Sequence, residues 1–459
     1  MHTQQAQWDL IVRGGRVVLA DAVQTLDIGI RDGRIAALGA LPEDGSPALA
    51  ADGLIVMPGM IDAHVHLNEP GMGHWEGFAS GSAALAAGGC TTYVDMPLNG
   101  IPPTVTTDAL TRKLEAARGA SHIDYALWGG LVPGNLQELE ALAEAGVAGF
   151  KAFMSSPGDP GEEAFREVDD LTLLEGMRIL ARLGRVLALH AESEPLTASL
   201  ATAMRAAGRT GAAGYTASRP PVAELEAVRR ALFYAEQTGC ALHFVHISTA
   251  AAAEAIMAAR RAGADVTLET CPHYLMLTEQ TLLTRGAVAK CAPPLRSAEE
   301  RERLWALTAQ GAFDFIASDH SPCPLELKQG ATIMDAWGGI AGAQSSLELI
   351  VGEGHLARGL PLPLLARLLA TGPARRLGLA PRKGEIRLGA DADLALVDPN
   401  RPYRLTAAHL LQRHRHSPYI GDTMRCKVTA TLSRGRLVYT AEEGIRGAAA
   451  GMWMRPIQT

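Results

Sequence analysis

"DAHVHLNEPG", residues 62–71, sets His64 and His66 one residue apart, directly after the apolar run "LIVMPGMI" (54–61). Successive side chains on a strand point to opposite faces, so the two imidazoles share one face while Val65 packs on the other. If this is the first strand of a parallel barrel, both histidines aim into its C-terminal mouth, where barrel active sites lie. Taken alone, the pair fits two solvated histidines in a turn as well. The remaining strands have to choose between the two.

Past residue 60, apolar segments alternate with Ala- and Leu-rich helical stretches, the texture of repeated βα units. The candidate strands are 60–66, 91–96, 123–130, 147–153, 186–191, 241–247, 265–270 and 313–318. Intervening helices include "TTDALTRKLEAARG" (106–119) and "PPVAELEAVRRALFYAEQTG" (220–239), the latter opened by prolines and closed by Gly239. Eight such units predict a (β/α)₈ TIM-like barrel of the α/β class. A doubly wound sheet would carry a Gly-rich phosphate loop after its first strand, and none is present. From Trp8 to about Ile55, and again past about residue 375, short alternating strands with Gly-Gly and Asp-Gly turns return. The expected organisation is 1–56 and 376–459 combining into a small β-sandwich domain, with "RGAAAG" (446–451) as a flexible tail, around a barrel over 57–375.

The 459 residues, 47% of them hydrophobic, suffice for a large core beside a smaller domain. Lys plus Arg number 42 against 49 Asp plus Glu, a formal charge of -7, with no basic concentration of the kind nucleic acid requires. Six scattered cysteines lack disulfide or zinc-ribbon spacing and read as reduced thiols. The start "MHTQQAQWDLIV" has no signal-peptide pattern, and no apolar run approaches the roughly 18 residues of a membrane span. A cytoplasmic protein with no membrane partner is expected.

Five predicted strands end on residues of metal-site type. Besides His64 and His66, the fourth strand, "VAGFKAFM", carries Lys151; the fifth, "RVLALHAES", ends on His190; the sixth, "ALHFVHIS", on His246; the eighth, "FDFIASDHSPC", on Asp319. Each has an ordinary explanation; a lysine at a strand end usually snorkels. Five strands of one barrel converging on one chemistry outweigh those explanations taken singly. His243, three positions before His246, is expected to pack or support, as are His273 and His320. The set exceeds the four ligands of one tetrahedral zinc and fits two divalent ions, zinc first, with manganese or cobalt as alternatives. Lys151 joins as a ligand if its neutral amine takes up carbon dioxide as a carbamate (N6-carboxylysine), and an apolar, cation-rich site favours that amine.

With these residues in place, the chain resembles the cyclic amidohydrolases, and among them the allantoinases, from about Asp9 to the C-terminal strands. The stretches that carry the resemblance include "MPGMIDAHVHLNEPG", "GFKAFM", "LHAES", "YTASRP", "LHFVHIS", "ETCPHY", "KCAPPLR", "SDHSPC" and "AWGGIAG". The resemblance implies metal ligands at His64, His66, carbamylated Lys151, His190, His246 and Asp319, and a homo-oligomer, commonly a tetramer. It also implies ring-amide contacts from the main chain of Ala292 and Gly338. Asn99 is a further substrate-side candidate, or a residue that caps a turn. Dihydroorotases usually have an arginine where this chain has Asn68, and hydantoinases a tyrosine where it has Ser156. The implied reaction is hydrolytic opening of allantoin to allantoate by a metal-bridging hydroxide, with Asp319 as base and then acid. The alternatives are a hydantoinase or dihydropyrimidinase and, from another class, a non-catalytic scaffold on the same barrel. Cys291 and Cys323 are expected to be buried rather than nucleophilic, and Arg296 to anchor a loop or an interface.

Overall fold

The computed structural model describes residues 8–158, 161 and 163–457. Eight parallel strand segments form the barrel: Met60–Val65, Cys90–Asp95, Asp124–Leu127 continued by Gly129–Gly130, Phe150–Phe153, Leu187–His190, Leu242–Phe244, Val266–Thr270 and Phe315–Ile316. All eight predicted strands are present, most of them shorter than predicted. The ring closes where Val65 bridges His320 in parallel and the His66 N–H donates to the His320 carbonyl at 2.8 Å. Asp62 braces the same seam: its Oδ1 accepts from the Ser318 N–H at 3.0 Å and the His64 N–H at 3.3 Å.

Four of the barrel strands, Met60–Val65, Cys90–Asp95, Phe150–Phe153 and Leu187–His190, are buried along their whole length because helices cover the outside, so even their polar residues lie in the interior. The helices obey their sequence signals. Thr106 caps Thr107–Ala117 by accepting from the Ala109 N–H, and Pro221–Thr238 ends at Gly239, whose φ of 71° is left-handed and suits glycine.

Strands from both ends of the chain make one nine-stranded, mostly antiparallel sheet. Leu10–Val18 pairs with Val23–Arg31 and Ile55–Pro58, and Ile55–Pro58 with Leu394–Asp398, which leads on to Lys427–Ser433. The sheet encloses its own core, including Val12, Ile28, Ile30, Val56, Leu394, Leu396 and Leu432. At the junction with the barrel, Lys383 is fully buried among Asp124 (2.6 Å), Asp393 (2.7 Å) and Asp391 (3.0 Å).

The expectation of a flexible tail at 446–451 is corrected. The Arg434 guanidinium holds the Ala450 carbonyl at 2.6 Å, the Gly451 N–H donates to Ser121, and Trp453 pairs with Tyr125. Gly451 has to be small because the chain there runs against the barrel: a Cβ on it would lie 1.9 Å from the Ile123 carbonyl oxygen. No helix among the described residues is long and apolar enough to cross a membrane.

Candidate metal centre

The six predicted side chains meet at the C-terminal rim, all buried. His64, His66 and Asp319 present ligand atoms within 4.8 Å of one another. Asp319 Oδ1 stands 3.2 Å from His64 Nε2 and 3.4 Å from His66 Nε2. A second pair faces them: His190 Nδ1 lies 2.9 Å from His246 Nε2, and the His246 ring centroid is 5.4 Å from that of His64. Lys151 stands with its ammonium 4.8 Å from the Phe153 ring, which itself stacks on His190 at 4.6 Å.

His246 and Asp319 lie just beyond their strands and hold positive φ values of 39° and 47°. Non-glycine residues seldom adopt that region, and such strain concentrates at functional sites. The alternation expected for these two side chains therefore gives way to a turn in the chain. For His246 the strain is offset by Glu269, whose Oε1 accepts the His246 N–H at 3.1 Å.

Glu269 is the acidic residue that strand-end reasoning passed over. Its Oε1 also accepts from His64 Nδ1 at 2.6 Å and its Oε2 from His243 Nε2 at 3.1 Å, so one carboxylate ties together three barrel strands. A proton on His64 Nδ1 leaves the Nε2 lone pair directed at Asp319, the tautomer a metal ligand needs. Glu192 does the same for His190, accepting from Nε2 at 2.9 Å and leaving Nδ1 toward His246; Arg219 pairs with Glu192 in turn. Burial alone would raise the Glu269 carboxyl, but His64 and His243 bring it down to about 2. Asp319 follows the same balance: burial raises it, and His64 and His66 hold it below the usual carboxylate range. Burial pushes the Lys151 ammonium down to about 7, against the pull of Glu269 and Asp319.

The donor set fits divalent cations. His66 Nδ1, His246 Nδ1 and Lys151 Nζ are buried without a hydrogen-bond partner, and an amine near neutrality in such a place is available to carbon dioxide. His243 binds Glu269 and Thr267 Oγ1 (2.9 Å) and stays outside the set, as expected. His320 accepts from the Ala343 N–H (3.4 Å), and His273 packs on Tyr274. All six cysteines are free and buried, and burial pushes the Cys291 thiol up to about 12, which removes it as a nucleophile. Arg296 anchors a loop, donating to Ser248 Oγ at 3.0 Å and the Arg219 carbonyl at 2.6 Å.

A cavity of about 390 Å³ opens over these residues and is also lined by Asn99, Ala292, Gly338 and Ser156. Asn99 has a φ of 58°, and its carbonyl accepts from Asn68 Nδ2 at 3.3 Å, so it serves a turn and faces the cavity at once.

Residues 55–438 match the model of the amidohydrolase family. The chain belongs to that family. It is 51% identical over 450 residues to an allantoinase of Rubrobacter xylanophilus, with 98% of each chain covered. Identity to an allantoinase of Solibacter usitatus is 49%, covering 98% of this chain and 97% of that one. Among solved structures, the L-hydantoinase (dihydropyrimidinase) of Arthrobacter aurescens superposes with a TM-score of 0.94 at 34% identity, over 98% of this chain and 100% of that one. The dihydropyrimidinase of Brevibacillus agri gives 0.90 at 29%, over 97% and 98%.

Proposed function

We propose that this amidohydrolase opens the five-membered ring of allantoin to give allantoate. The observation that carries the reading is the meeting of His64, His66, His190, His246 and Asp319 in the wall of one cavity, with the buried Lys151 behind Phe153 of the same wall. The allantoinase relatives, at 51% and 49% identity, favour allantoin over the substrates of hydantoinases, which stand at 34% and below. Ser156 at the cavity wall leaves room for a polar substituent on the ring.

His64, His66 and Asp319 on one side and His190 and His246 on the other would hold two divalent cations, zinc first, and Lys151 would add its carbamate as a further ligand. Bound there, they supply Lewis acidity and lower the pKa of water from about 15.7 toward neutrality. The protein's own part is positional and acid–base. Main-chain groups of Ala292 and Gly338 hold the ring amide with its carbonyl toward the histidines. Asp319, ionised and buried, takes the proton of the attacking water at its carboxylate. It returns that proton to the departing ring nitrogen, so water adds across one C–N bond and the carboxylate is regenerated. The buried walls exclude other nucleophiles and strengthen every charge interaction inside.

The test is ring opening measured beside metal content on the same sample. Protein loaded with zinc, manganese or cobalt in bicarbonate should open allantoin in preference to dihydrouracil, and Lys151→Ala should lose both metal and turnover. Preference for dihydrouracil, or full activity in a stably metal-free preparation, ends the proposal.

A further inference from the structure

Two buried lysines with no carboxylate partner stand at the cavity, Lys290 in its wall and Lys328 behind it. Lys290 Nζ donates to the carbonyls of Met334 (3.1 Å) and Ala336 (2.5 Å), and Lys328 Nζ to those of Trp337 (3.0 Å) and Gly339 (2.5 Å). Among the described residues neither forms an ion pair, and both are at most 7% exposed. Burying an ammonium group costs several kcal/mol unless its donors are used, and here all the named ones go to one six-residue loop. Burial draws Lys290 down to about 7 and Lys328 to about 8, the measure of that cost.

The opposite wall has the same plan in neutral form. The Tyr215 hydroxyl donates to the Cys291 carbonyl at 2.8 Å, and the Tyr274 hydroxyl to the Pro293 carbonyl at 2.6 Å. Between the held carbonyls on each side sits one residue, Ala292 or Gly338, whose main-chain groups make no hydrogen bond to the described residues and which lines the cavity. The two walls are joined where the Gly339 N–H donates to the Lys290 carbonyl at 2.8 Å. Gly339 has to be glycine: its φ is 124°, and a Cβ would meet the Ser321 carbonyl oxygen at 2.5 Å.

We propose that Lys290, Lys328, Tyr215 and Tyr274 are positioning residues that occupy the flanking carbonyls, so that the main chain of Ala292 and Gly338 alone is presented, at fixed separation, to the planar amide of a cyclic substrate. This rests on the reading of the site as a cyclic amidase. A cleft made of preset main-chain groups recognises the ring amide whatever its substituent, because the amide is the part every such substrate shares. Its rigidity removes the ordering cost that a floppy loop would add at each binding event.

Lys328 and Tyr274 do not line the cavity, so their substitution leaves direct substrate contacts alone. Lys328→Met and Tyr274→Phe, each loaded with metal and compared with the parent on allantoin and on unsubstituted hydantoin, should raise KM at least about fivefold on both rings. Metal content and kcat should stay within about twofold of the parent. A purely structural role would lower thermal stability with KM unmoved. Parental KM in folded, fully loaded variants overturns the proposal, as does a fall in kcat that tracks metal loss. Should Lys328→Met fail to fold, Tyr274→Phe, which removes one hydroxyl, decides by the same criterion. The parent's preference for allantoin tests the substrate reading separately, since the KM ratios are read on whichever ring the parent opens.

Discussion

Replacing Glu269 by glutamine removes one charge and alters no volume, yet it reaches every part of the centre. The carboxylate accepts three hydrogen bonds, from His64 Nδ1 (2.6 Å), His243 Nε2 (3.1 Å) and the His246 N–H (3.1 Å). A glutamine offers one acceptor oxygen, so its NH₂ must face at least one of these donors. If it faces His64, that ring is pushed toward the tautomer with a proton on Nε2, the nitrogen next to Asp319. Partners behind a metal-binding histidine are worth roughly 10- to 100-fold in metal affinity, about 1.4–2.7 kcal/mol. Chelator competition near neutral pH, followed by metal analysis, reads this directly. At that pH the parent carboxyl, at about 2, is ionised, so the comparison is free of titration. Turnover per bound metal pair should fall less than affinity does. Parental metal retention in a folded Glu269→Gln protein would refute the role assigned to Glu269.

Metal-stripped protein given zinc and bicarbonate should regain activity at a rate set by the neutral Lys151 amine. With the ammonium at about 7 and dissolved carbon dioxide held constant, the rate falls roughly tenfold for each pH unit below that value and levels off above it; a rate independent of pH contradicts the assignment. Glu348, buried and bonded to the Tyr403 hydroxyl (2.6 Å) and the Val428 N–H (2.7 Å), is raised by burial from 4.5 to about 7. Between those values the folded state holds a proton that the unfolded state has released. Stability is therefore fully favoured below 4.5 and declines by about 3 kcal/mol as pH rises through 7. Urea unfolding across that window should show the slope in the parent and a flatter profile in Glu348→Gln; equal slopes count against it. Lys383→Met strands three buried carboxylates and should cost about 3–5 kcal/mol in the same assay, and a change under 1 kcal/mol would contradict that.

The barrel was legible because apolar segments alternate with Ala- and Leu-rich helical stretches and the helices carry ordinary stop signals, Gly239 among them. His64 and His66 could be placed by strand alternation, His190 because its strand ends on it, and Lys151 because it lies within the four-residue strand Phe150–Phe153. His246 and Asp319 were found through residue type: their strands end two and three residues earlier, and their positive φ values have no local sequence signature. Glu269 was hidden within "VTLET", where a lone acid in a strand reads as an edge residue until its three donors, distant in sequence, are brought to it. Lys290 and Lys328 were silent for a related reason. Their partners are carbonyl oxygens, which every residue has, so no residue type betrays them. The last turn of chain failed as a tail because alanine and glycine serve close packing as readily as they serve flexibility, and the Gly451–Ser121 contact selects the former.

Anomalous diffraction at the zinc edge, from crystals of zinc-loaded protein grown in bicarbonate, addresses the metal centre most directly. Two peaks are predicted, one against His64 and His66 and the other against His190 and His246, with added density on the Lys151 ε-nitrogen between them. A single peak away from these imidazoles, or an unmodified Lys151 amine beside fully occupied metal, would contradict it.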